Sequence, residues 1–378
     1  MLSVYGFPFL LAMFVSYVLT PYIKKLAFKI GAVDKPDMRK VHKRIMPRLG
    51  GLAIYIAFVV GCLASMELTM DLVGILIGGT MITVLGVLDD VYQLPAKVKL
   101  LGQIAAACVL VLFDIRIEWV NNPLGGFFYL DMLSIPFTIL WVISFTNVVN
   151  LIDGLDGLAA GVSAIASLTV ILVAIQMGYF HVALLTAALA GAIIGFIRYN
   201  FNPATIFMGD TGSLTMGFLL AFFAIELCCF KWDRVDLALL GETEPFYTGD
   251  QLFVYGISLI IVPVLDVFRV FYSRIRDGKS PFKPDKRHIH HKFLALGFSM
   301  RQARWTIFSM SILLWALNVL MSFVLCWNVN VIIAVDIALW VVFNLYISRC
   351  VRKRQLMHDA VAEGFDDFCN SKNKHNGK

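Results

Sequence analysis

Long apolar runs, separated by short polar segments, occupy most of this sequence. Of its 378 residues, 59% are hydrophobic and only 15% are charged, whereas a soluble domain carries roughly 25% charged residues. The apolar residues fall in blocks rather than on one helical face, and many blocks are long enough to cross a bilayer as a helix. The sequence therefore predicts an all-α polytopic membrane protein.

These blocks predict about eleven transmembrane helices in one membrane domain, residues 1–348, followed by a tail, residues 349–378. Residues 114–132 alternate in part between apolar and polar and contain Pro and Gly, which is typical of a short β-hairpin or loop. The predicted spans lie near residues 3–23, 49–66, 71–88, 97–113, 133–149, 158–177, 181–198, 211–230, 251–271, 305–325 and 329–348.

Lysine and arginine are concentrated in three segments, residues 24–48, 274–304 and 349–354. With about eleven spans, these segments fall on one side, which the positive-inside rule makes cytoplasmic. The N-terminus is then outside, the predicted hairpin is external and the tail is cytoplasmic. The same orientation places four unusual polar segments on the cytoplasmic face, as a single shared site requires: residues 89–90, 147–157, 199–213 and 281–292.

The segment NVVNLIDGLDG, residues 147–157, lies between two apolar runs and contains Asn150, Asp153 and Asp156. An ionised carboxylate is costly in hydrocarbon, so carboxylates at a membrane boundary indicate a functional site. Gly154 keeps a side chain away from the backbone, as a site for a bulky anion requires. The alternative is a polar loop that only caps two helices.

Asp89 and Asp90 are adjacent at the end of the third apolar run, in LDDVYQLPAKVKLLGQ. Adjacent carboxylates repel each other unless a cation lies nearby, and Mg²⁺ prefers oxygen ligands and often bridges a carboxylate to a phosphate. The alternative is a solvated helix end. The pair is not part of a DDxxD motif, because Gln93 stands where the last Asp would be.

In RYNFNPATIFMGDTGS, Asp210 lies between two glycines at the start of an apolar run. Thr211 and Ser213 are predicted to cap this helix, whose N-terminal amides favour an anion. A carboxylate here can hold a metal while the glycines let a phosphate approach closely. Phe207 suits stacking on a planar base, and the alternative for it is a lipid or core contact.

Three histidines, His288, His290 and His291, lie among basic residues in KPDKRHIHHKF. Histidine-rich runs often bind zinc, but the neighbouring cations disfavour a metal and favour a grip on phosphate, because imidazoles donate to phosphate oxygens. A solvated basic loop is the third alternative. The basic residues of segment 34–51 serve topology or attract an anionic substrate.

Carboxylates, basic residues and glycines that let a phosphate approach are typical of enzymes of phosphoryl transfer. In that reaction a metal ion and cationic side chains neutralise the charged reactants. The sequence contains no Walker A motif, so ATP is not the obvious donor. A secondary transporter also places charges among many spans, but it holds them near the bilayer midplane. Here the charged clusters lie at predicted span ends.

Four segments, LDDVYQLPAKVKLLGQ, NVVNLIDGLDGLAAG, NPATIFMGDTGSL and PDKRHIHHK, resemble those of the polyprenyl-phosphate N-acetylhexosamine-1-phosphate transferases. The resemblance extends from about residue 34 to residue 304. It is greatest to the UDP-GlcNAc:undecaprenyl-phosphate GlcNAc-1-phosphate transferases. The phospho-MurNAc-pentapeptide transferases carry a run such as APLHHHFE where this chain has KRHIHHKF, and they remain the alternative within the family.

The resemblance implies an enzyme of the bacterial cytoplasmic membrane, with its active site on the cytoplasmic face. It would transfer a sugar phosphate from a UDP-N-acetylhexosamine to undecaprenyl phosphate, release UMP and require Mg²⁺ or Mn²⁺. It would begin synthesis of O-antigen, enterobacterial common antigen, teichoic acid or another surface polysaccharide. The sugar, the polymer and the oligomeric state, a homodimer included, stay open.

The resemblance also implies roles for individual residues. Asp210 is the expected metal ligand, and the expected catalytic residues are Asp89, Asp90 and Asp156. Asp153, Gly154, Asn200 and Phe207 match positions that hold the uridine, and the histidine run matches a grip on the diphosphate. The full set of expected substrate-binding residues is Lys43, Asn150, Asp153, Gly154, Asn200, Phe207, His288, His290 and His291.

Overall fold

The computed structural model describes residues 2–34, 45–122, 126–201, 203–229, 258, 261–278 and 287–375. Helices dominate these residues, with two small β-hairpins between them. The helices are α1 (Leu2–Ile30), α2 (Gly50–Ser65), α3 (Met70–Tyr92), α4 (Ala96–Leu112), α5 (Ser134–Ile152), α6 (Leu158–Gln176), α7 (Phe180–Asn200), α8 (Gly209–Cys228), α9 (Ile261–Arg276), α10 (Ile289–Ala295), α11 (Met300–Val319) and α12 (Val329–His375).

Eight helices within the described residues are long and apolar enough to cross a membrane: α1, α3, α5, α6, α7, α8, α11 and α12. The prediction of an all-α polytopic membrane protein is therefore confirmed. Of the other predicted spans, α2 and α4 are helices of 16 and 17 residues. Nine of the 21 residues of the predicted span 251–271 lie outside the described residues, so the count of about eleven and the orientation stay predictions.

The first and last helices are longer than their predicted spans. Helix α1 continues seven residues past the predicted end at 23, to Ile30, and α12 continues past the predicted end at 348 to His375. Helix α12 therefore includes most of the predicted tail, residues 349–378. The tail contains many strong helix formers, such as Gln, Ala, Glu and Lys, which explains why the helix does not end at the edge of its apolar run.

The predicted hairpin between α4 and α5 is confirmed. Strands β3 (Trp119–Asn121) and β4 (Phe127–Tyr129) pair antiparallel, with Trp119 opposite Tyr129. A second hairpin was not predicted from the sequence. It pairs β1 (Val33–Asp34) with β2 (Met46–Pro47) and closes the first basic loop directly before α2.

Helix α8 is the centre of the fold, and its apolar window is fully buried by neighbouring helices. Glycines let these neighbours approach its backbone, as small residues do in membrane helix packing. A Cβ on Gly51 of α2 would overlap the backbone of Gly212, and one on Gly86 of α3 would overlap that of Thr211. A Cβ on Gly217 would lie 2.5 Å from the Thr146 Cα of α5. This packing brings the start of α2 and the ends of α3 and α5 to the first turns of α8.

Candidate active site

The Asp90 carboxylate caps the start of α8 from the end of α3. Its Oδ1 accepts the Asp210 backbone N–H at 3.0 Å, and its Oδ2 accepts the Thr211 N–H at 2.9 Å and the Thr211 hydroxyl at 2.7 Å. The sequence predicts that Thr211 and Ser213 cap this helix, and that prediction is wrong, because α8 has no side-chain cap of its own. An aspartate 120 residues away takes that place and leaves the Asp90 side chain almost fully buried.

Asp210, in the first turn of α8, meets side chains from α4 and α5. The Asn150 amide donates to Asp210 Oδ1 at 3.1 Å and to Ser213 Oγ at 2.8 Å. The Lys99 ammonium lies 2.6 Å from Asp210 Oδ2 and 2.5 Å from Asp89 Oδ2. One cation therefore bridges a carboxylate at the end of α3 to a carboxylate at the start of α8.

A pair of amides one helical turn away sets the positions of Lys99 and Asn150. Asn147 Nδ2 donates to Gln103 Oε1 at 2.9 Å, and Gln103 Nε2 donates back to Asn147 Oδ1 at 3.4 Å. Gln103 lies four residues after Lys99 on α4, and Asn147 lies three residues before Asn150 on α5. Since residues three or four apart share a helix face, this contact aims the side chains of Lys99 and Asn150 toward Asp210.

Arg48 adds a second cation on the other side of the carboxylates. Its NH2 lies 3.2 Å from Asp90 Oδ1 and 3.7 Å from Asp210 Oδ1. Burial opposes the charge of this guanidinium, but the carboxylates around it outweigh that effect and raise the pKa of Arg48. The β1–β2 hairpin holds Arg48 in place, because the Arg48 N–H donates to the Ala32 carbonyl at 3.0 Å.

The donor set around Lys99 fits a hard divalent cation. Two carboxylate oxygens from Asp89 and Asp210 converge on one position, which the ammonium marks. No group of three or more His, Cys, Asp or Glu side chains in the described part of the chain is arranged to hold a metal by itself. Mg²⁺ commonly takes only one or two protein carboxylates and completes its shell with water and substrate phosphates. Two carboxylates beside a substrate diphosphate would suffice.

The loop between α5 and α6 carries Asp153 and Asp156. Burial, together with the nearby carboxylates of Asp210 and Asp90, raises the pKa of Asp153 to about 7. Asp156 faces the loop before α8, because its Oδ2 accepts the Ala204 N–H at 3.3 Å. The Arg304 guanidinium of α11 donates to the Asp156 backbone carbonyl at 2.6 Å and lies 4.3 Å from the centre of the Phe201 ring. Arg304 therefore holds the α5–α6 loop and the start of the α7–α8 loop together.

The histidine run lies beside this loop. A Cβ on Gly154 would lie only 2.8 Å from His290 Nε2, so the run packs directly against Gly154. Burial, together with the charges of His291 and His288, lowers the pKa of His290 to about 3, so this ring is neutral near pH 7. The His288 ring is parallel to the His290 ring, with centroids 6.0 Å apart. The structure thus brings the histidines to the segment that contains Asp153.

The remaining expected substrate-binding residues are Asn200 at the end of α7, Phe207 in the α7–α8 loop, and Lys43. Asn200 is buried and donates to the Ile206 carbonyl at 3.0 Å, while its Oδ1 makes no hydrogen bond. The half-buried Phe207 is held through its backbone, since its N–H donates to Pro47 and its carbonyl accepts from Gly50. Lys43 lies outside the described residues.

Three residues that the sequence analysis did not single out are central to this arrangement: Arg48, Lys99 and Asp266. Lys99 lies in the segment 88–103, where the prediction rested on Asp89 and Asp90. Arg48 is one of many bases in the segment 24–48. Asp266, which binds His288, offered the clearest sequence signal, because it is a lone carboxylate in an apolar run. An ionisable residue at such a position indicates a functional site by default.

Membrane helices with carboxylates and cations gathered at one end define an integral-membrane enzyme for charged substrates. The sequence profile of glycosyl transferase family 4 matches residues 72–228, from the start of α3 to the end of α8. A Bacillus subtilis (strain 168) protein named "Probable undecaprenyl-phosphate N-acetylglucosaminyl 1-phosphate transferase" is 41% identical over 304 residues, covering 79% of this chain and 80% of that protein.

Two further relatives are similar over the same extent. The decaprenyl-phosphate N-acetylglucosaminephosphotransferase of Mycolicibacterium smegmatis is 33% identical, covering 78% of this chain and 76% of that protein. The undecaprenyl-phosphate alpha-N-acetylglucosaminyl 1-phosphate transferase of Escherichia coli (strain K12) is 29% identical and covers 80% of each chain. The chain therefore belongs to glycosyl transferase family 4, among the polyprenyl-phosphate N-acetylglucosamine-1-phosphate transferases, as its motifs predict.

Proposed function

We propose that this protein transfers GlcNAc-1-phosphate from UDP-GlcNAc to undecaprenyl phosphate, giving undecaprenyl-pyrophosphoryl-GlcNAc and UMP. The observation that carries the proposal is the convergence of Asp89, Asp210, Lys99 and Arg48 at one end of the helices. The names of the relatives support GlcNAc as the sugar and a polyprenyl phosphate as the acceptor. They favour this reaction over the transfer of phospho-MurNAc-pentapeptide.

The proposed reaction is a direct displacement at phosphorus. An oxygen of undecaprenyl phosphate attacks the phosphorus that bears the sugar and forms the new P–O bond. The P–O bond to the bridging oxygen breaks, and that oxygen leaves with the uridine-bearing phosphate as UMP. A phosphate monoester is already an anionic nucleophile, so positioning and charge neutralisation are most of what the enzyme must supply.

Different residues of the chain supply positioning and charge neutralisation. Asp89 orients the acceptor phosphate or takes its proton, and Lys99 and Arg48 neutralise charge on the reacting phosphates. The Asp90 oxygens are occupied by α8 and Arg48, which supports a positioning role rather than a covalent one. Asp210, with Asp89 beside it, would hold Mg²⁺, or Mn²⁺ in its place. When bound, this ion supplies further neutralisation of the diphosphate.

A two-step reaction through a phosphorylated carboxylate is the alternative mechanism. The stereochemistry at phosphorus distinguishes the two, because one displacement inverts a chiral phosphorus and two displacements restore it. UDP-GlcNAc made chiral with oxygen isotopes at the sugar-bearing phosphorus is expected to give an inverted product. Retention would show that a carboxylate attacks first.

The experiment that tests the function uses purified membranes that contain the protein, UDP-GlcNAc, undecaprenyl phosphate and Mg²⁺. We expect equal amounts of UMP and a tunicamycin-sensitive lipid-linked GlcNAc, both lost on addition of EDTA. Asp210→Asn should abolish both products while the protein stays in the membrane. Normal turnover by that variant would contradict the assigned site. Solute uptake by vesicles without UMP release would instead indicate a transporter.

The proposed location is the bacterial cytoplasmic membrane, with the site on the cytoplasmic face. The positive-inside pattern of the loops supports this orientation. A membrane-impermeant thiol reagent provides the test, applied to intact cells whose protein carries one cysteine, introduced into the exposed loop between α3 and α4 after the seven native cysteines are replaced. That cysteine should react only after the cells are opened, and labelling in intact cells would place the site outside. In this location the reaction would be the first membrane step of a surface polysaccharide.

A further inference from the structure

Asp266 is a buried carboxylate of α9 that lies apart from the carboxylates of Asp89, Asp90 and Asp210. Only 1% of its surface is exposed, and each of its oxygens accepts two hydrogen bonds. Oδ1 accepts from Arg269 Nε at 3.2 Å and from Arg269 NH2 at 2.8 Å. Oδ2 is bonded to His288 Nδ1 at 2.9 Å and accepts the Ile289 N–H at 3.1 Å. The carboxylate thus binds the beginning of the histidine run.

Arg269 strengthens this attachment from the same helix. Its NH2 also donates to the Arg287 carbonyl at 2.5 Å, so the Asp266–Arg269 pair holds the backbone on both sides of His288. The two charges of the pair balance each other, which lowers the cost of burying the carboxylate. A positive charge on His288 would therefore need a second anionic partner, because Arg269 already neutralises Asp266.

The hydrogen bond to Asp266 determines which hydrogen-bonding role remains for His288 Nε2. An ionised carboxylate only accepts hydrogen bonds, so His288 Nδ1 carries a hydrogen and donates it to Asp266. A neutral imidazole with hydrogen on Nδ1 has a bare Nε2, which cannot donate to a phosphate oxygen. Only the protonated ring has a donor at both nitrogens, so a group that accepts from Nε2 while Asp266 accepts from Nδ1 must bind that form.

The neighbourhood of His288 favours a phosphate as the group that its Nε2 binds. The His290 ring, which is parallel to that of His288, packs against Gly154 in the loop that carries Asp153. In the described part of the chain, the charged or titratable groups near His288 include Asp266 and Arg269 of α9, Arg287 before it, and His290, His291 and Lys292 after it. Of these, Asp266 is the acid, and Arg269 already pairs with it.

We propose that Asp266 is a positioning residue that holds His288 with Nδ1–H toward itself, so that the protonated ring donates Nε2–H to a phosphoryl oxygen of the nucleoside diphosphate sugar. The inference rests on the proposed function and deepens it. The family resemblance already implies that the histidine run grips the diphosphate, and the inference adds Asp266 as the group that orients His288 for it.

Two substitutions of His288 distinguish the role of Nδ1 from the role of Nε2. His288→Asn places an amide N–H near the position of Nδ1, which keeps the bond to Asp266 and removes the Nε2 donor. His288→Gln reaches the position of Nε2, which keeps a donor for phosphate and loses the bond to Asp266. A hydrogen bond to a charged group is worth about 1.5–3 kcal/mol, roughly 10- to 150-fold in affinity. We therefore expect His288→Asn to raise the KM for UDP-GlcNAc at least tenfold more than His288→Gln.

Asp266→Asn tests whether Asp266 acts through His288. In the wild-type background we expect this variant to raise the KM for UDP-GlcNAc about tenfold, without changing the KM for undecaprenyl phosphate. In the His288→Gln background it should change the KM less than twofold, because the bond that it weakens is already absent. Equal losses in both backgrounds would show a structural role and overturn the inference. Asp266→Asn kinetics equal to those of the wild type would overturn it as well.

Asp277→Asn is the matched control. Asp277 directly follows α9, and its carboxylate accepts from Arg287 NH1 at 2.6 Å, so the change removes an ion pair to the same segment without touching His288. Its kinetics should equal those of the wild type, and a tenfold rise in KM would mean that loosening the segment alone explains the effect. If Asp266→Asn does not fold, the order of the two His288 variants still decides, and equal KM values would overturn the inference. A wild-type protein that forms neither UMP nor lipid product would instead reject the proposed function.

Discussion

Thr211 donates two hydrogen bonds to one oxygen of Asp90, from its backbone N–H at 2.9 Å and from its hydroxyl at 2.7 Å. Both residues are buried, and they join the end of α3 to the start of α8. Since Asp210 directly precedes Thr211, this contact also fixes the direction in which the Asp210 carboxylate leaves the helix. A packing contact and the geometry of the site thus depend on the same carboxylate.

Removing the Thr211 hydroxyl should reduce both stability and activity. Thr211→Val keeps the shape of the side chain but takes one donor from a buried carboxylate, which costs about 1.5–3 kcal/mol. We expect a lower Tm in detergent and a lower kcat, measured on the same preparation. Thr306→Val is the control, because the Thr306 hydroxyl bonds only within its own exposed helix face. An unchanged Tm for Thr211→Val would mean that the cap does not stabilise the bundle.

Lys99 should be required for turnover more than for folding. Its ammonium bridges Asp89 and Asp210, where charge is neutralised in the proposed reaction. We expect Lys99→Met to lower kcat by about 100- to 1000-fold, the usual effect of removing one electrostatic contact to a transition state. Lys97→Met, two residues earlier on the exposed face of α4, should leave kcat within twofold of wild type. Comparable losses from both variants would point to a general effect of positive charge at the start of α4.

The sequence predicted the membrane fold and the meeting of distant acids better than it predicted their partners. Asp89, Asp90, Asn150 and Asp210 stood out because polar residues at the ends of apolar runs are rare, and the structure brings all four together. Their roles in substrate binding and catalysis stay predictions. The cap that Asp90 forms on α8 was not predicted, because nothing local to either segment shows that two helices meet.

The cations were missed for a physical reason. Arg48 lies in a segment rich in bases and Lys99 lies near a second lysine, Lys97, and only the packing of the β1–β2 hairpin and of α4 selects these two. Asp266 could have been found, because a carboxylate within an apolar run requires a partner. Its partner, however, lies 22 residues away, across a segment with no regular pattern. Long-range ion pairs of this kind depend on the tertiary fold rather than on spacing.

Gly86 should be intolerant of any side chain. A Cβ at this position would overlap the backbone of Thr211 and Asp210, which cannot move without displacing the site. We expect Gly86→Ala to cost about 1–3 kcal/mol in stability, typical of overpacking, and to reduce activity further than its Tm alone explains. Gly6→Ala is the matched control, since a Cβ there would meet no atom within 4 Å. Equal Tm and kcat for both variants would contradict the close packing of α3 on α8.

The stability of the protein should depend on pH partly through His290. Burial lowers the pKa of this histidine from 6.5 to about 3, so between these values the unfolded chain binds a proton that the folded chain does not. The folded state is therefore destabilised as the pH falls below about 6.5, by at most about 1.4 kcal/mol per pH unit. His290→Gln lacks this titration, so its Tm should fall less than that of the wild type between pH 7 and pH 5. Identical losses of Tm in the two proteins would show that His290 takes up a proton in the folded state and is not held neutral by burial.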